Sequence, residues 1–160
     1  MSTSEPAGGR RLELDRHAAF QVVALANRIS ASASRAYMRH FGVGVMEWRA
    51  LALMAVNPAV SANQIANISG VDKSAVSRAI QALVRRGHVV SREDRSDNRR
   101  ALLDLTPEGL ALHDRVVAAS LAREKLLLTG LSDQEQATLF KLLKRLDANM
   151  ALVNAHDPSQ

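Results

Sequence analysis

The stretch 61–106 constrains the fold more than any other part of the sequence, because helix-start and helix-stop signals lie close together in it. Ser61 and Gln64 have the spacing of a capping box, which predicts that a short helix begins there. Gly70 tolerates the left-handed conformation that ends a helix, and Asp72 is a suitable N-cap for the next one. We therefore predict two short helices joined by a tight turn.

The residues at this junction match those that a helix-turn-helix requires. Ala66 is small enough to let two helices cross closely, Gly70 suits the turn, and Val76 places a branched side chain between the helices. An ordinary pair of helices in a bundle would fit Ala66 and Gly70 equally well. The second helix is predicted to run to about Arg86 and to end at Gly87.

That second helix is predicted to have an apolar and a polar face. The apolar positions are Val76, Ala79, Ile80, Leu83 and Val84. The polar positions are Lys73, Ser74, Ser77, Arg78 and Gln81. A polar helix face of this kind can enter the groove of a nucleic acid.

A β-hairpin is predicted to follow, with strands at 88–92 and 100–106 around a polar tip at 93–99. In the second strand Ala101, Leu103 and Leu105 alternate with Arg100 and Asp104, which predicts an inward and an outward face. The tip is rich in turn-forming residues and too polar to belong to a core.

Positive charge is concentrated on this helix and hairpin. Residues 73–100 contain eight basic and three acidic residues, an excess of five, and the whole chain has a formal net charge of +5. The basic residues are Lys73, Arg78, Arg85, Arg86, Arg92, Arg95, Arg99 and Arg100. Such concentration is typical of a surface that contacts phosphates.

Composition favours a mainly α protein. The 160 residues fit one domain, 47% of them are hydrophobic and only 3% are aromatic, and the apolar residues are mostly Leu, Ala and Val. The absence of cysteine excludes disulfides, cysteine-ligated zinc and thiol redox chemistry in this chain. No stretch is long and apolar enough to span a membrane, so we expect a cytoplasmic protein.

Outside the central stretch the sequence predicts long helices. A disordered tail is expected at 1–10, an amphipathic helix at 12–40, and further helices at 45–56 and 107–128. A second capping box, Ser132 with Glu135, begins a last helix whose apolar stripe is Leu139, Leu142, Leu143, Leu146, Met150 and Val153. Thr106 and Pro107 provide the N-cap and first position of the helix before it.

The sequence resembles the multiple antibiotic resistance regulator (MarR) family of winged helix-turn-helix transcription factors. The family's helix pattern is matched by Asp72, Lys73, Ser74, Val76, Ser77, Arg78, Ile80, Leu83 and Gly87. The hairpin, or wing, and the motif after it are matched by Asp94, Asp97, Arg99, Arg100, Leu105, Thr106 and Gly109. The spacing of Asp97 and the arginines at the wing tip departs slightly from the common form.

The resemblance implies a winged helix-turn-helix DNA-binding domain at 43–106 and a helical dimerisation region at 11–42 and 107–154. The implied DNA-binding residues are Lys73, Ser74, Ser77, Arg78, Gln81, Arg95, Asp97, Arg99 and Arg100. Arg78 can bind a guanine through two hydrogen bonds in the major groove, and the wing arginines suit a narrow minor groove. Which wing arginine enters that groove stays open, and Asp97 either fixes one of them or forms an ordinary exposed ion pair.

The resemblance also implies a homodimer, most simply a repressor, with recognition helices about 34 Å apart on a palindromic operator. Family members are often released from DNA by a small aromatic or anionic ligand. Candidate ligand-binding residues here are His17, Phe20, Tyr37, His40, Phe41, Trp48, Arg49 and His113. Trp48 and Phe41 fit a structural core at least as well.

Other classes of protein have weaker support. No nucleophile motif, glycine-rich phosphate loop or metalloprotease motif is present, so we expect no enzyme. The five histidines show no paired spacing typical of a metal site, and we expect neither metal nor cofactor. The principal alternative is a sequence-independent architectural DNA-binding protein that uses the same arginines without reading bases.

Overall fold

The structure, a computed structural model, describes residues 12–94 and 97–157, with residues 94 and 97–100 described by their backbone alone. The described part is mainly helical with one two-stranded antiparallel hairpin, which confirms the predicted fold class. The helices are α1 (Ala18–Phe41), α2 (Val45–Val56), α3 (Ala62–Ser69), α4 (Lys73–Arg85), α5 (Pro107–Leu127), α6 (Asp133–Ala148) and α7 (Met150–Ala155). The strands are β1 (Val89–Asp94) and β2 (Asp97–Leu105).

The predicted helix-turn-helix is formed by α3 and α4. The Ser61 hydroxyl accepts a hydrogen bond from the Gln64 backbone N–H, and the Gln64 side chain accepts one from the Ser61 N–H, as a capping box requires. Gly70 ends α3 in the left-handed conformation with φ of 64°. Ala66 and Val76 are both buried, as their predicted places between the two helices require.

Buried side chains of α2, α3, α4 and the hairpin form a common core. Leu51, Ile65 and Leu83 are almost fully buried, and Val89 and Leu103 bring the two strands onto the same core. Val84, predicted to lie on the apolar face of α4, is 40% exposed instead. It lies beside the hairpin, where the apolar face of the helix meets the surface.

The hairpin is longer and its tip shorter than the sequence predicted. Val89 pairs with Leu105 and Asp94 pairs with Asp97, with an irregularity between Glu93 and Asp94. The predicted seven-residue tip is therefore wrong, because backbone pairing does not require the apolar alternation by which the strands were recognised. Val60 adds a third segment through an isolated bridge to Leu103.

Two predicted helix boundaries also need correction. The first helix begins at Ala18, because His17 is extended and its Nδ1 accepts a hydrogen bond from the Phe20 N–H at 3.1 Å. The segment before it contains only a 3-10 turn at Leu14–Arg16. The last helix is divided at Asn149 into α6 and α7, so the predicted stripe is not on one continuous helix.

The chain divides into two compact units, one up to Val117 and one from Ala118 onward. In the first unit, α1 leaves apolar side chains exposed: Phe20, Val22, Val23, Leu25 and Ile29. In the second, the exposed apolar side chains include Phe140, Leu142, Leu143, Leu146, Met150, Leu152 and Val153.

Among residues 12–94 and 97–157, no helix combines the length and apolarity needed to cross a membrane. The predicted tail at 1–10 lies outside the described residues.

Candidate nucleic-acid interface

The polar face predicted for α4 is present and uncovered. Lys73, Ser74, Ser77, Arg78 and Gln81 are all exposed. On the opposite side, Val76, Ala79, Ile80 and Leu83 are buried. The helix is therefore held by its apolar side while its polar side is free to meet another molecule.

A hydrogen-bonded chain of side chains organises the first turns of α4. Asp72 Oδ1 accepts hydrogen bonds from the backbone N–H groups of Ser74 and Ala75, at 2.9 and 3.2 Å, and from the Ser74 hydroxyl. The Ser74 hydroxyl in turn accepts a hydrogen bond from Arg78 Nη1 at 3.1 Å. The hydroxyl and backbone hydrogen bonds hold the pKa of the exposed Asp72 carboxyl below its usual value. The guanidinium of Arg78 is thus oriented by the N-cap.

The remaining predicted DNA-binding residues lie at the wing tip. Arg95 lies outside the described residues, and the side chains of Asp97, Arg99 and Arg100 do too. Their roles therefore stay predictions. The backbone of 97–100 belongs to β2, which places these positions on a strand rather than in a loop.

The wing is anchored to the loop after α2 by Asp104. Its Oδ1 accepts a hydrogen bond from the Ala59 N–H at 2.7 Å, and its Oδ2 pairs with the guanidinium of Arg92 on the facing strand. Ala59 has φ of 57°, unusual for a residue other than glycine. The hydrogen bonds from Arg92 and then from Ala59 lower the pKa of Asp104 from its ordinary value of 3.8.

We expect Asp104→Asn to destabilise the protein by about 1 kcal/mol at neutral pH, because the amide keeps an acceptor for Ala59 but loses the charge that attracts Arg92. A carboxylate with a depressed folded-state pKa stabilises above its unfolded pKa, and this contribution is lost as the pH falls through the folded value. The difference in the free energy of unfolding between wild type and variant should therefore shrink below about pH 4. Urea unfolding at pH 7 and pH 3 measures it, and an unchanged difference would show that the charge of Asp104 is not its cause.

Two arginines that the sequence assigned to the phosphate-contacting surface have partners within the fold. Arg92 pairs with Asp104 and Arg86 pairs with Glu47. Both carboxylates lie outside residues 73–100, so the excess of positive charge over that stretch overstates what is available to a nucleic acid. Arg85, by contrast, is exposed and lines a groove with a volume of about 370 Å³ between α4 and the hairpin.

That groove is lined by apolar and polar side chains. Its apolar lining residues include Ile80, Val84 and Leu103, and its polar ones include Ser77, Gln81 and Ser91. Two residues of the predicted reading face, Ser77 and Gln81, thus border the step between helix and wing.

Part of the predicted ligand-binding set forms an aromatic cluster within the first unit. The Trp48 ring stacks on His113 with centroids 5.6 Å apart, and Tyr37 meets Trp48 edge to face at 6.0 Å. Phe41 contacts Tyr37 at 6.4 Å and His40 at 6.3 Å. Arg115, which the sequence did not single out, lies with its guanidinium 5.6 Å from the Phe41 ring.

The other predicted ligand-binding residues have different contacts. His17 caps α1, and Phe20 is 45% exposed near the start of that helix. Arg49 donates a hydrogen bond to the Ser30 hydroxyl at 3.0 Å, linking α2 to α1. In the described ranges, no group of three or more His, Asp or Glu side chains is placed to hold a metal ion.

Comparison with known proteins gives consistent results. A family model described as MarR family matches residues 41–100. A putative transcriptional regulatory protein for the hcr operon of Thauera aromatica is 33% identical over 96 residues. The matched part is 60% of this chain and 58% of that protein, so it spans less than two thirds of the relative.

Solved structures match over most of the chain. A MarR/EmrR family transcriptional regulator from Acinetobacter sp. ADP1 is similar with a TM-score of 0.82 and 33% identity, over 88% of this chain and 99% of that chain. A MarR family regulator from Silicibacter pomeroyi has a TM-score of 0.76 and 26% identity, over 88% and 96% of the two chains. The PcaV transcriptional regulator from Streptomyces coelicolor, in complex with its natural ligand, has a TM-score of 0.71 at 24% identity, over 88% and 98%, a likeness of fold alone.

Proposed function

The chain belongs to the MarR family of transcriptional regulators, and from this premise we propose that it is a homodimeric repressor that binds a palindromic operator in double-stranded DNA. The expectation that the chain is not an enzyme is confirmed by its membership of a family of regulators. Its place of action would be the cytoplasm, where the chromosome is accessible.

The observation that carries the proposal is the geometry of α4. Its exposed face presents Arg78 in an orientation set by Ser74 and Asp72. A guanidinium held in advance loses less conformational freedom when it grips a guanine, and two parallel hydrogen bonds to one base give specificity. We therefore assign recognition of operator bases mainly to Arg78, with Ser77 and Gln81 beside it. Lys73 would contact a DNA phosphate at the N-terminus of α4.

The exposed apolar side chains of α1, α6 and α7 support the homodimer. Leu25 on α1 is 50% exposed, and Leu146 on α6 and Leu152 on α7 are 46% and 72% exposed. Monomeric proteins rarely leave apolar surface of this kind uncovered, whether on the first unit or on the second. A second copy of the same chain related by a twofold axis would cover it and would place two copies of α4 on one face of the duplex.

A small aromatic or anionic effector remains part of the proposal. The cluster of Tyr37, Phe41, Trp48 and His113 offers flat apolar surfaces, and Arg115 adds a cation beside them. Such a combination suits an aromatic acid. PcaV, a neighbour in fold, was crystallised with its own ligand.

In vitro selection from random duplexes tests the function. We expect enrichment of a palindrome whose half-sites are centred about one helical turn, roughly 10 base pairs, apart. Binding without enrichment of any sequence would instead support the architectural alternative. No binding to any duplex at low salt would overturn the proposal.

Arg78→Ala is expected to reduce discrimination between the selected duplex and a scrambled one by about 5- to 150-fold for each half-site, the equivalent of roughly 1–3 kcal/mol for each bidentate base contact. Lys73→Ala serves as the comparison, because loss of a phosphate contact should weaken binding to both duplexes equally and reduce the salt slope by about one unit for each protomer. Fluorescence anisotropy with both duplexes measures these effects. If Arg78→Ala weakens binding to both duplexes equally, Arg78 does not read a base.

A further inference from the structure

Arg86, just after the last residue of α4, makes contacts that no phosphate-binding role requires. Its Nη1 donates a hydrogen bond to the Gly42 carbonyl at 2.7 Å, and its Nη2 pairs with Glu47 Oε1. Its Nε donates to the Ala82 carbonyl in its own helix at 3.2 Å. The guanidinium thus joins the C-terminal end of α4 to two points more than 35 residues earlier in the chain.

Both of those points lie in the segment 41–48 that joins α1 to α2, the α1–α2 turn. Gly42 is the left-handed residue that ends α1, and Glu47 belongs to the first turn of α2. The other carboxylate oxygen of Glu47, Oε2, accepts a hydrogen bond from the Gly44 N–H at 2.8 Å. The carboxylate therefore fixes the turn with one oxygen and holds α4 with the other, and its side chain is only 14% exposed.

The same turn carries two rings of the aromatic cluster. Phe41 directly precedes Gly42, and Trp48 directly follows Glu47. Phe41 lies under Arg115, and Trp48 stacks on His113. Each ring is therefore carried by the residue next to one that holds Arg86.

We propose that Arg86 is a positioning residue that fixes α4 relative to the α1–α2 turn and transmits displacement of the aromatic cluster to α4. This inference rests on the proposed function, since its consequence is a change in DNA binding. The planar fork of a guanidinium reaches a carboxylate and a carbonyl together, whereas the ammonium of lysine is a point charge without that geometry. The contact therefore depends on the shape of arginine as well as on its charge.

A direct phosphate contact is the competing role, because the Arg86 side chain is 37% exposed. The two roles predict different behaviour of Arg86→Lys, which keeps the charge. A positioning role predicts that Arg86→Lys and Arg86→Ala weaken binding of the selected duplex to a similar extent, about tenfold, with the salt slope unchanged. A phosphate contact predicts that Arg86→Lys binds like wild type and that Arg86→Ala loses about one unit of salt slope for each protomer.

Glu47→Gln provides the matched variant on the other side of the contact. The variant keeps an acceptor for the Gly44 N–H, and the changed residue is the part-buried partner of Arg86 and does not lie on the polar face of α4. We expect it to weaken binding as Arg86→Lys does, and the double variant to bind no more weakly than either single variant. Additive losses would overturn the proposal.

Fluorescence of Trp48, the single tryptophan, tests transmission. Saturating selected duplex should change its emission in wild type, and this change should be lost in Arg86→Lys. An equal change in both proteins would overturn the transmission step. Failure of wild type to enrich any duplex would overturn the proposed function itself, whereas enrichment with normal binding by Arg86→Lys would overturn only the role of Arg86.

Discussion

Gly109→Ala is expected to destabilise the protein by about 3 kcal/mol, at the upper end of the usual cost of overpacking. A Cβ added at Gly109 would lie 1.9 Å from the His88 carbonyl oxygen and 2.9 Å from its carbon. Both atoms are backbone, so no side-chain rotation can relieve the contact. The first turn of α5 would have to move away from the base of the wing.

That movement would break a compact set of hydrogen bonds. The Thr106 N–H donates to the His88 carbonyl at 3.1 Å, and the Thr106 hydroxyl donates to the Gly87 carbonyl at 2.7 Å. The same hydroxyl accepts from the Gly109 N–H at 3.0 Å. In an open helix, alanine would instead be favoured over glycine by about 1 kcal/mol, so the direction of the effect distinguishes close packing from helix propensity.

Urea unfolding measures the change, and Glu108→Ala is its control. Glu108 is exposed in the same turn of α5, and its replacement removes only a favourable charge near the helix N-terminus, a loss below about 1 kcal/mol. DNA affinity should fall in Gly109→Ala as well, because the wing loses its fixed base. A Gly109→Ala protein as stable as wild type would show that α5 can retreat from His88 without cost.

Local signals in the sequence predicted most helix boundaries. The capping pairs Ser61 with Gln64 and Ser132 with Glu135 lie within one helical turn, and their geometry is as predicted. Helix α2 occupies the predicted range because Gly44 and Asn57 flank it. Such features depend on neighbouring residues alone and can be read from a single chain.

Contacts between distant residues could not be predicted in this way. The hydrogen bond from Ala59 to Asp104 joins positions 45 residues apart, and the pairing of Arg86 with Glu47 joins positions 39 apart. The sequence shows that each of these residues is charged or sits in a turn, but not which partner the fold brings to it. Because its partner Glu47 could not be predicted, Arg86 was counted among the phosphate-contacting residues.

In the candidate site, too, local features could be predicted from the sequence and contacts between distant residues could not. The polar face of α4 follows from helical periodicity, and all five of its predicted residues are exposed. The contacts of the aromatic cluster could not be predicted from the sequence, since His113 and Arg115 on α5 reach rings of α1 and α2. Gly109 belonged to a recognised motif, yet only the backbone of His88 explains why a glycine stands there.

Leu146→Asp is expected to weaken the proposed homodimer by about 100-fold or more, because a carboxylate placed in an apolar interface loses its hydration without gaining a partner. Leu146 is 46% exposed on α6, next to the exposed Leu142 and Leu143. Light scattering at micromolar concentration should find a dimer for wild type and a monomer for the variant. Affinity for the selected palindrome should fall with it, since one copy of α4 reads only one half-site.

Ala137→Asp is the matched control for this change, because it places the same carboxylate on the same helix. Position 137 is exposed and lies about half a turn away from position 146 around α6, given the helical repeat of about 3.6 residues. If the leucine face mediates dimerisation, Ala137→Asp remains dimeric and binds the palindrome like wild type. If both variants dissociate, the cause is a loss of helix α6 itself. If neither does, the dimer does not use this face, and the exposed apolar side chains of α1 become the alternative contact, which Leu25→Asp would then test in the same way.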